Sequence, residues 1–427
     1  MIKPSNFMLA AILGAALNCS TFSADVQADP FAPDPQSSLK QMLSISYKAG
    51  TDLPTGIQDP GIGIINGNFV YAGGLSSDLS SDNGFTKKAY CLNLQSPATS
   101  WTALPSLPVS RARQGLNSVT VNNRVYMWGG YSTETAKCYT DGYCLSQTPQ
   151  GAWSWTALPP LPRRAYGSGM AVIGSKIYAF GGADYDEWGR YTNTLHDGTA
   201  PRLGARMLAI DTNNLSAGWQ ELAQCPGTPR FTAATAAVNG KIYVIGGNTG
   251  MDNSTGGEYT TVVDDWRYDP ATNAWSRLQD MPVASSAYPA GQTVFDNRYM
   301  IMAGGAPLNT ITNPDGSTRA GYGTATKHDP GYDYYSDVFV YDTLLGKFGT
   351  ATMLPLNNCA PMTAVVGNHI YMVGSETDGA FVDGKPYGHL PTLFLTGTIS
   401  VVPEPSALCL SIIAAVSLLW YGWAKRR

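Results

Sequence analysis

Ile242-Tyr243-Val244-Ile245-Gly246-Gly247 is the stretch from which the rest of the chain can be read. An alternating apolar strand runs straight into a glycine pair. The pattern stands again at Phe69-Val70-Tyr71-Ala72-Gly73-Gly74, Val125-Tyr126-Met127-Trp128-Gly129-Gly130, Ile177-Tyr178-Ala179-Phe180-Gly181-Gly182 and Met300-Ile301-Met302-Ala303-Gly304-Gly305. A sixth copy, Ile370-Tyr371-Met372-Val373-Gly374-Ser375, has lost the second glycine. Each copy follows a strand that ends in a short turn, as in Val238-Asn239-Gly240, and Asn-Gly there is a hairpin signal. A third strand follows, as in Trp266-Arg267-Tyr268-Asp269 or Val340-Tyr341-Asp342. A fourth carries an aromatic residue and then Leu-Pro or a variant: Trp101 to Leu104-Pro105, Trp155 to Leu158-Pro159, Trp275 to Leu278. A repeat of one such unit buries its faces only by stacking on its neighbours.

Each unit therefore reads as a four-stranded antiparallel sheet. Inner strands crowd a narrow channel, where glycine permits close backbone approach and unusual dihedrals. The large aromatic of the fourth strand fills the wider gap to the neighbouring sheet. The glycine pair, Tyr-Asp and Trp in fixed order resemble kelch repeats over residues 42–400. The expected fold class is all-β, a six-bladed kelch-type β-propeller. The sixth unit ends at Leu393-Phe394-Leu395 with no Trp strand behind it, while Tyr47 and then Leu53-Pro54 stand at the start, spaced like Phe348 and Leu354-Pro355. An N-terminal strand is predicted to complete the last blade and close the ring.

The ends read as targeting segments. Lys3, the apolar run 7–17 and the small residues after it predict a signal peptide over 1–28, cut after Ser23 or Ala28. Residues 29–41, rich in Asp and Pro, read as a flexible leader. Residues 401–427 hold Pro403-Glu404-Pro405, an apolar stretch at 407–423 with Trp420, Tyr421 and Trp423, and a Lys425-Arg426-Arg427 end. On its own terms this is a short membrane span with cations after it. Its order resembles the PEP-CTERM sorting signal. That resemblance implies a Gram-negative bacterium, recognition by an exosortase, a passing stay in the inner membrane, and a destination at the cell surface or in exopolysaccharide.

Composition bounds the function. Charged residues make up 14% of the chain, against roughly 25% in ordinary soluble proteins, and 46 Gly, 24 Tyr and 10 Trp take their place. The net charge of -4 argues against a nucleic-acid partner, which needs a basic face. Between the two ends lie Cys91, Cys138, Cys144, Cys225 and Cys359. Cys138 and Cys144, close together in one insertion, are the expected disulfide; the other pairings stay open. No Cys-x-x-Cys or calcium-loop spacing stands in the chain, and neither metal nor cofactor is expected.

Insertions between second and third strands run through 131–151, 183–205, 248–264, 306–336 and 376–390. In an antiparallel blade they emerge on the same face as the blade-to-blade loops, so binding is expected there. Arg111, Arg164 and Arg230 each follow proline in such loops, with Arg113 and Arg163 beside them. They are placed either to ring the channel mouth and read anionic groups, or to pair with neighbouring carboxylates as part of the repeat. Tyr185, Trp188, Tyr259, His328, Tyr334 and Glu376 complete the expected ligand-binding set, since aromatic faces with polar partners suit sugars. The remaining loop aromatics serve equally to pack the loops down.

The chain also resembles the N-acetylneuraminate epimerase (mutarotase) family, on His328 through Tyr335-Ser336-x-Val338 and on Val373-Gly374-Ser375-Glu376-Thr377. The resemblance implies acid–base opening of a sugar ring at the channel mouth, with a catalytic glutamate in the fourth blade. That place reads Gly246-Gly247-Asn248-Thr249-Gly250, and an amide cannot serve as a titrating acid. No catalytic residue is therefore assigned. The expected function is a surface protein that binds a glycan or matrix polysaccharide without catalysis. A sugar epimerase is the alternative, to be recognised by a glutamate on the same rim, and a protein-interaction scaffold is the third reading.

Overall fold

The structure is a computed structural model. It describes residues 39–403, leaving out 79–83, 97–99, 133–136, 186–190, 193–202, 249–260, 283–284, 286–292, 307–309, 313–317, 321–333, 378–379, 383–384 and 388–389. The signal-peptide region, most of the leader, and Glu404, Pro405 and the apolar stretch after them lie outside the described residues, as do Trp188, Tyr259 and His328.

Six four-stranded antiparallel sheets form the blades. From inner to outer strand, blade one is Gly61–Ile65, Asn68–Ala72, Ala89–Asn93 and Thr102–Leu104. Blade two is Asn117–Val121, Arg124–Trp128, Gly142–Gln147 and Trp153–Leu158. Blade three is Gly169–Ile173, Lys176–Phe180, Met207–Asp211 and Gln220–Glu221, and blade four Ala234–Val238, Lys241–Ile245, Trp266–Asp269 and Ala274–Arg277. Blade five is Val294–Phe295, Tyr299–Ala303, Val338–Asp342 and Lys347–Thr350. Blade six takes Met362–Val366, His369–Val373 and Phe394–Val401 from the end of the chain and Leu43–Ala49 from its beginning. That last pairing runs in register from Leu43 opposite Val401 to Ala49 opposite Leu395, so the ring closes as the sequence predicts.

The local reasons are visible in the turns. Asn66-Gly67, Asn122-Asn123, Asn239-Gly240 and Asp296-Asn297 hold positive φ at both central residues, the type I′ geometry that matches strand twist. Blades three and six carry the positive φ at Gly174 and Gly367 alone, as in a type II′ turn with glycine first. Four of the insertions fold back as small hairpins: Tyr131–Ser132 with Lys137–Cys138, Asp184–Tyr185 with Tyr191–Thr192, Thr310–Thr312 with Thr318–Ala320, and Ala380–Val382 with Lys385–Tyr387.

The core is divided among the six blade-to-blade interfaces. Phe69, Met362 and Phe394 pack where blade six meets blade one, and Leu43, Ile301, Val340 and Ile370 where blade five meets blade six. Equivalent clusters join one to two, two to three, three to four and four to five. Burying one large apolar side chain stabilises by about 1.5–3 kcal/mol, against about 0.5–1.5 kcal/mol net for one hydrogen bond. The clusters therefore hold the ring, and the hydrogen bonds set its register. Outer strands are stitched by their aromatics: Trp101 Nε1 donates to Thr51 O (3.0 Å), Trp155 Nε1 to Pro105 O (2.8 Å) and Trp275 Nε1 to Ala223 O (2.8 Å). At the closure the Tyr47 hydroxyl does the same with Thr352 O (3.1 Å).

Two expectations change here. Lys40 and Gln41, assigned to a flexible leader, lie along the edge of blade five: Thr350 N–H donates to Lys40 O (3.0 Å) and Met42 N–H to Thr350 O (2.8 Å). The edge strand's unpaired backbone groups capture them. Cys138 and Cys144 do not form a disulfide. Cys138 packs with Phe85, Ala112 and Tyr131, and Cys144 sits in the separate cluster between blades two and three. Closeness in sequence did not bring the two thiols to one place.

Closure can be tested at two glycines. Gly374 (φ +74) and Gly367 (φ +59) share a left-handed backbone, but a Cβ on Gly374 would lie 2.5 Å from Ile57 O, whereas Gly367 has nothing within 4 Å. Gly367→Ala is expected to cost about 1–2 kcal/mol from the backbone alone, and Gly374→Ala about 1–3 kcal/mol more from the collision. Urea unfolding midpoints measure both, and equal losses would show that the junction of blades six and one is not tight.

Candidate functional site

The mouth of the channel is assembled from one repeated contact. The backbone N–H of the second residue of each glycine pair donates to a carbonyl in the loop leading into the next blade. The pairs are Gly74 to Arg113 (2.8 Å), Gly130 to Ala165 (3.2 Å), Gly182 to Arg230 (3.0 Å), Gly247 to Ser285 (3.1 Å), Gly305 to Asn358 (2.9 Å) and, closing the ring, Ser375 to Ile57 (2.9 Å). Two residues beyond those carbonyls the chain turns through positive φ at Asp59, Gly115, Gly167 and Thr232. These residues form a collar, with Gly115 N–H donating to Asp59 O (2.8 Å) and Thr232 N–H to Gly167 O (2.7 Å). Positive φ at a β-branched threonine is a strained conformation, and such strain gathers at functional sites.

Register sorts the arginines. Arg230 occupies the carbonyl-donating slot, Arg164 stands one residue before it in its own loop, and Arg111 two before. The true counterpart of Arg230 is Arg113. Both are 0% exposed. Arg113 reaches Asp141 Oδ1 (2.6 Å) and Gly129 O (3.2 Å) and stacks on Tyr139. Arg230 reaches Asp264 Oδ1 (2.7 Å), Gly246 O (3.3 Å) and Thr228 O (2.9 Å). Burial raises the Asp264 carboxyl, but Arg230, the Trp266 indole and Thr228 together hold it below the usual carboxylate range. Arg230 is thus a buried latch between blades, not a ligand reader, because its donors are spent on protein. Arg164 is exposed and paired with Asp184 (3.1 Å), and Arg111 is exposed on its loop. The expected ring of three arginines does not form.

Tyr334 and Glu376, by contrast, are brought together. Glu376 follows Gly374-Ser375 at the register position that Asn248 holds in blade four, and its backbone carbonyl accepts Cys359 N–H (2.9 Å). The Tyr334 hydroxyl, on a buried side chain, donates to Glu376 Oε2 (2.9 Å). Beside them stands Asp59, which the sequence reading missed. The Tyr166 hydroxyl donates to Asp59 Oδ2 (3.3 Å), with the Tyr166 ring lying on Gly115 so closely that a Cβ there would be 2.0 Å away. Asp59 is half-buried. That burial, with the negative charge of Glu376 added, raises its pKa to about 7, against a small lowering by the Tyr166 hydrogen bond. Asn248, 5% exposed, donates to Thr232 Oγ1 (3.1 Å), and its Oδ1 has no partner.

A signal for Asp59 was present. Aligned on the glycine pairs, the loops read Gln58-Asp59, Gln114-Gly115, Tyr166-Gly167 and Phe231-Thr232, and Asp59 is the one carboxylate at a place that favours glycine. Tyr185 stands in its small hairpin, clear of this description because only its backbone is described. A cleft of about 540 Å³ opens over blade four beside Val263, Trp266, Arg277 and Asp280. Its charges are committed, Arg277 to Asp280 and Asp264 to Arg230.

Two measurements follow from this geometry. Arg230→Ala is expected to cost about 3–5 kcal/mol of stability by breaking the pair of the buried guanidinium with Asp264 and leaving Gly246 O and Thr228 O without their donor, while the exposed Arg111→Ala stays within about 0.5 kcal/mol. A stable Arg230→Ala protein that merely lost ligand affinity would return Arg230 to the site. For Asp59, the folded carboxyl holds its proton more tightly than the unfolded one, whose pKa is about 3.9. Its contribution to stability is whole below about pH 4 and is lost as pH rises to about 7. The melting temperature of Asp59→Asn relative to the parent should therefore climb between those limits, and a flat difference would contradict the raised pKa.

Comparisons with known proteins agree on the architecture. An N-acetylneuraminate epimerase of Pasteurella multocida (strain Pm70) is 27% identical over 374 residues, 81% of this chain and 92% of the relative. One of Yersinia enterocolitica is 27% identical over 223 residues, 48% of this chain and 56% of the relative. The Kelch-like protein terF of Aspergillus terreus is 23% identical over 277 residues, 64% of this chain and 55% of the relative. The solved structure of YjhT matches with a TM-score of 0.56 at 16% identity, covering 82% of this chain and 99% of that one, a likeness of fold. The family described as the KLHDC2/KLHL20/DRC7 Kelch-repeats domain matches residues 62–305. With its six blades built on those repeats, the chain belongs to the kelch-repeat family.

Proposed function

We propose that the channel mouth interconverts the ring forms of a sugar by acid–base chemistry, as a mutarotase or epimerase. The observation that carries this reading is the pair Asp59 and Glu376, delivered to one junction by blades one and six, each held by a tyrosine hydroxyl. The sequence on its own favours a glycan-binding module without catalysis, because the place of the family's catalytic glutamate, a titrating group, reads Asn248. Asp59 and Glu376 supply that group, and Glu376 meets the requirement of a glutamate on the rim. The names of the relatives, whose length this chain nearly spans in the Pasteurella case, point the same way.

Changing the configuration of a cyclic hemiacetal or hemiketal needs a proton delivered to the ring oxygen and a proton taken from the anomeric hydroxyl. The ring C–O bond then breaks, the carbonyl end rotates, and the same transfers run backwards as it recloses. Asp59, its carboxyl raised to about 7, acts as the acid. Glu376, whose Oε2 accepts the Tyr334 hydroxyl, acts as the base. After the transfer Asp59 is the carboxylate and Glu376 the acid, ready for the reverse step. Paired carboxyls whose environments differ are the usual means of running both roles at one pH.

The test is exchange spectroscopy by proton NMR on N-acetylneuraminate with the full chain. Exchange between anomers should accelerate, and Asp59→Asn or Glu376→Gln should each lower the rate by about 10²–10⁴. Activity should decline as pH rises past about 7, where Asp59 loses its proton. Removing the neighbouring charge in Glu376→Gln should move that decline of the residual activity to lower pH. Saturation transfer to the sugar without faster exchange would overturn the reading in favour of a binding module.

A further inference from the structure

The face opposite the mouth is built from hairpin tips whose exposed residues are mostly small or polar, with Leu94 and Leu215 packed against the blade clusters. Asn66-Gly67, Asn122-Asn123, Gly174-Ser175, Asn239-Gly240 and Gly367-Asn368 join first and second strands, and Thr212-Asn213-Asn214 and Ala271-Thr272-Asn273 join third and fourth. Blade five breaks the rule with Thr343-Leu344-Leu345-Gly346. Leu344 and Leu345 are 72% and 52% exposed. The turn is not loose: Asp342 Oδ1 accepts the backbone N–H of both leucines (2.9 and 3.1 Å) and is clamped in turn by Arg298. Val366 and Val401 of blade six are exposed at the same end, and of the large apolar side chains exposed among the described residues only Val263 lies elsewhere.

The chain also leaves the propeller at this end. The third strand of blade six stops at Val401, and Val402 N–H donates to Met42 O (2.8 Å). Shortly after Pro403 the sequence enters the apolar stretch 407–423, long enough for a short bilayer span, with Lys425-Arg426-Arg427 behind it. An extended residue covers at most about 3.6 Å, so with residue 407 at the lipid Val401, six residues before it at the end of blade six, lies within about 22 Å of the membrane surface. Blade five is its neighbour in the ring.

We propose that, with residues 407–423 in a bilayer, the hairpin face rests on the lipid surface and the Leu344-Leu345 turn enters the headgroup region. The exposed Lys347 beside the turn suits anionic headgroups. The mouth then opens away from the membrane, toward solvent and soluble or polymeric substrate. A second copy of the chain is a poorer occupant: one two-leucine turn offers far less area than the roughly 1,000 Å² that a stable protein interface buries. This placement does not depend on the chemistry at the mouth.

The experiment uses the full chain in equimolar phosphatidylcholine–phosphatidylglycerol vesicles containing lipids with a photoactivatable diazirine, one on the headgroup and one on the acyl chain. Adducts are mapped by mass spectrometry. The expected result is lipid adducts on 407–423 and on the Leu344-Leu345 turn, with none on the turn of blade two around Gln150. In the double variant Leu344→Asp, Leu345→Asp the hairpin adduct should be lost while those on 407–423 persist. Adducts confined to 407–423, adducts on the long-loop face, or none on 407–423 would each overturn the proposal. So would cross-links from the turn to a second copy in place of lipid.

Discussion

One hydrogen bond, made six times, organises this molecule: the N–H after the first glycine of each pair, given to a carbonyl of the next blade's lead-in loop. It forces the two backbones so close that the first glycine has no room for a side chain. A Cβ would lie 2.4 Å from Ala165 O at Gly129, 2.4 Å from Arg230 O at Gly181, and 2.3 Å from Asn358 O at Gly304. The second position is tight as well in other repeats, where a Cβ would lie 2.7 Å from Gln58 O at Gly74 and 2.8 Å from Phe231 O at Gly247, but in the sixth repeat Ser375 is accommodated there with φ 81. There the serine hydroxyl accepts Ala360 N–H (2.6 Å), which helps hold a conformation unfavourable for a residue with a Cβ.

The same contact decides which residues face the channel. The residue after each glycine pair is carried to the rim, and the residue two beyond the accepting carbonyl to the collar. Whatever side chains stand there become the site, whatever the loops beyond them do. In four repeats these places hold Leu75, Tyr131, Ala183 and Ala306 on the rim, while Asn248 and Glu376 are the polar exceptions. Asp59 is the acidic exception on the collar. The kelch repeat is a scaffold with few variable inward positions, and function is written in those few.

Much of this was legible in the sequence, for a physical reason. Glycines that tolerate no Cβ, turns that need positive φ, and indoles that must find a carbonyl are demands on single residues, and single residues can be read. The closing strand was legible because Tyr47 and Leu53-Pro54 satisfy the same demand at the wrong end of the chain. The site was not legible in the same way. Arg111, Arg164 and Arg230 look equivalent by their distance to the next glycine pair, but offsets of one and two residues turn a side chain from a latch to the surface. The disulfide reading failed similarly, since Cys138 and Cys144 approach in sequence while their strands carry them into different clusters. Tyr334 and Glu376, far apart in the chain, could each be singled out, but their meeting with Asp59 needs the closed ring.

The position of that meeting is explained by charge. Arg113 and Arg230 fill the slot at the junctions where blades one and three hand over to two and four, and each neutralises an aspartate there. At the junction of blades five and six the slot holds Asn358, whose amide donates to Gly374 O (3.3 Å) without a charge. At the junction of blades six and one it holds Ile57, which is apolar. A guanidinium at that place would neutralise the neighbouring carboxylate and pull Asp59 down as Arg230 pulls Asp264 down. With isoleucine there, Asp59 faces Glu376 across the closure, and the acid climbs to about 7. Arginine fills the slot at two of the six junctions; where the two ends of the chain meet its place is apolar, and Asp59 stands beside the Glu376 charge with no guanidinium to lower it.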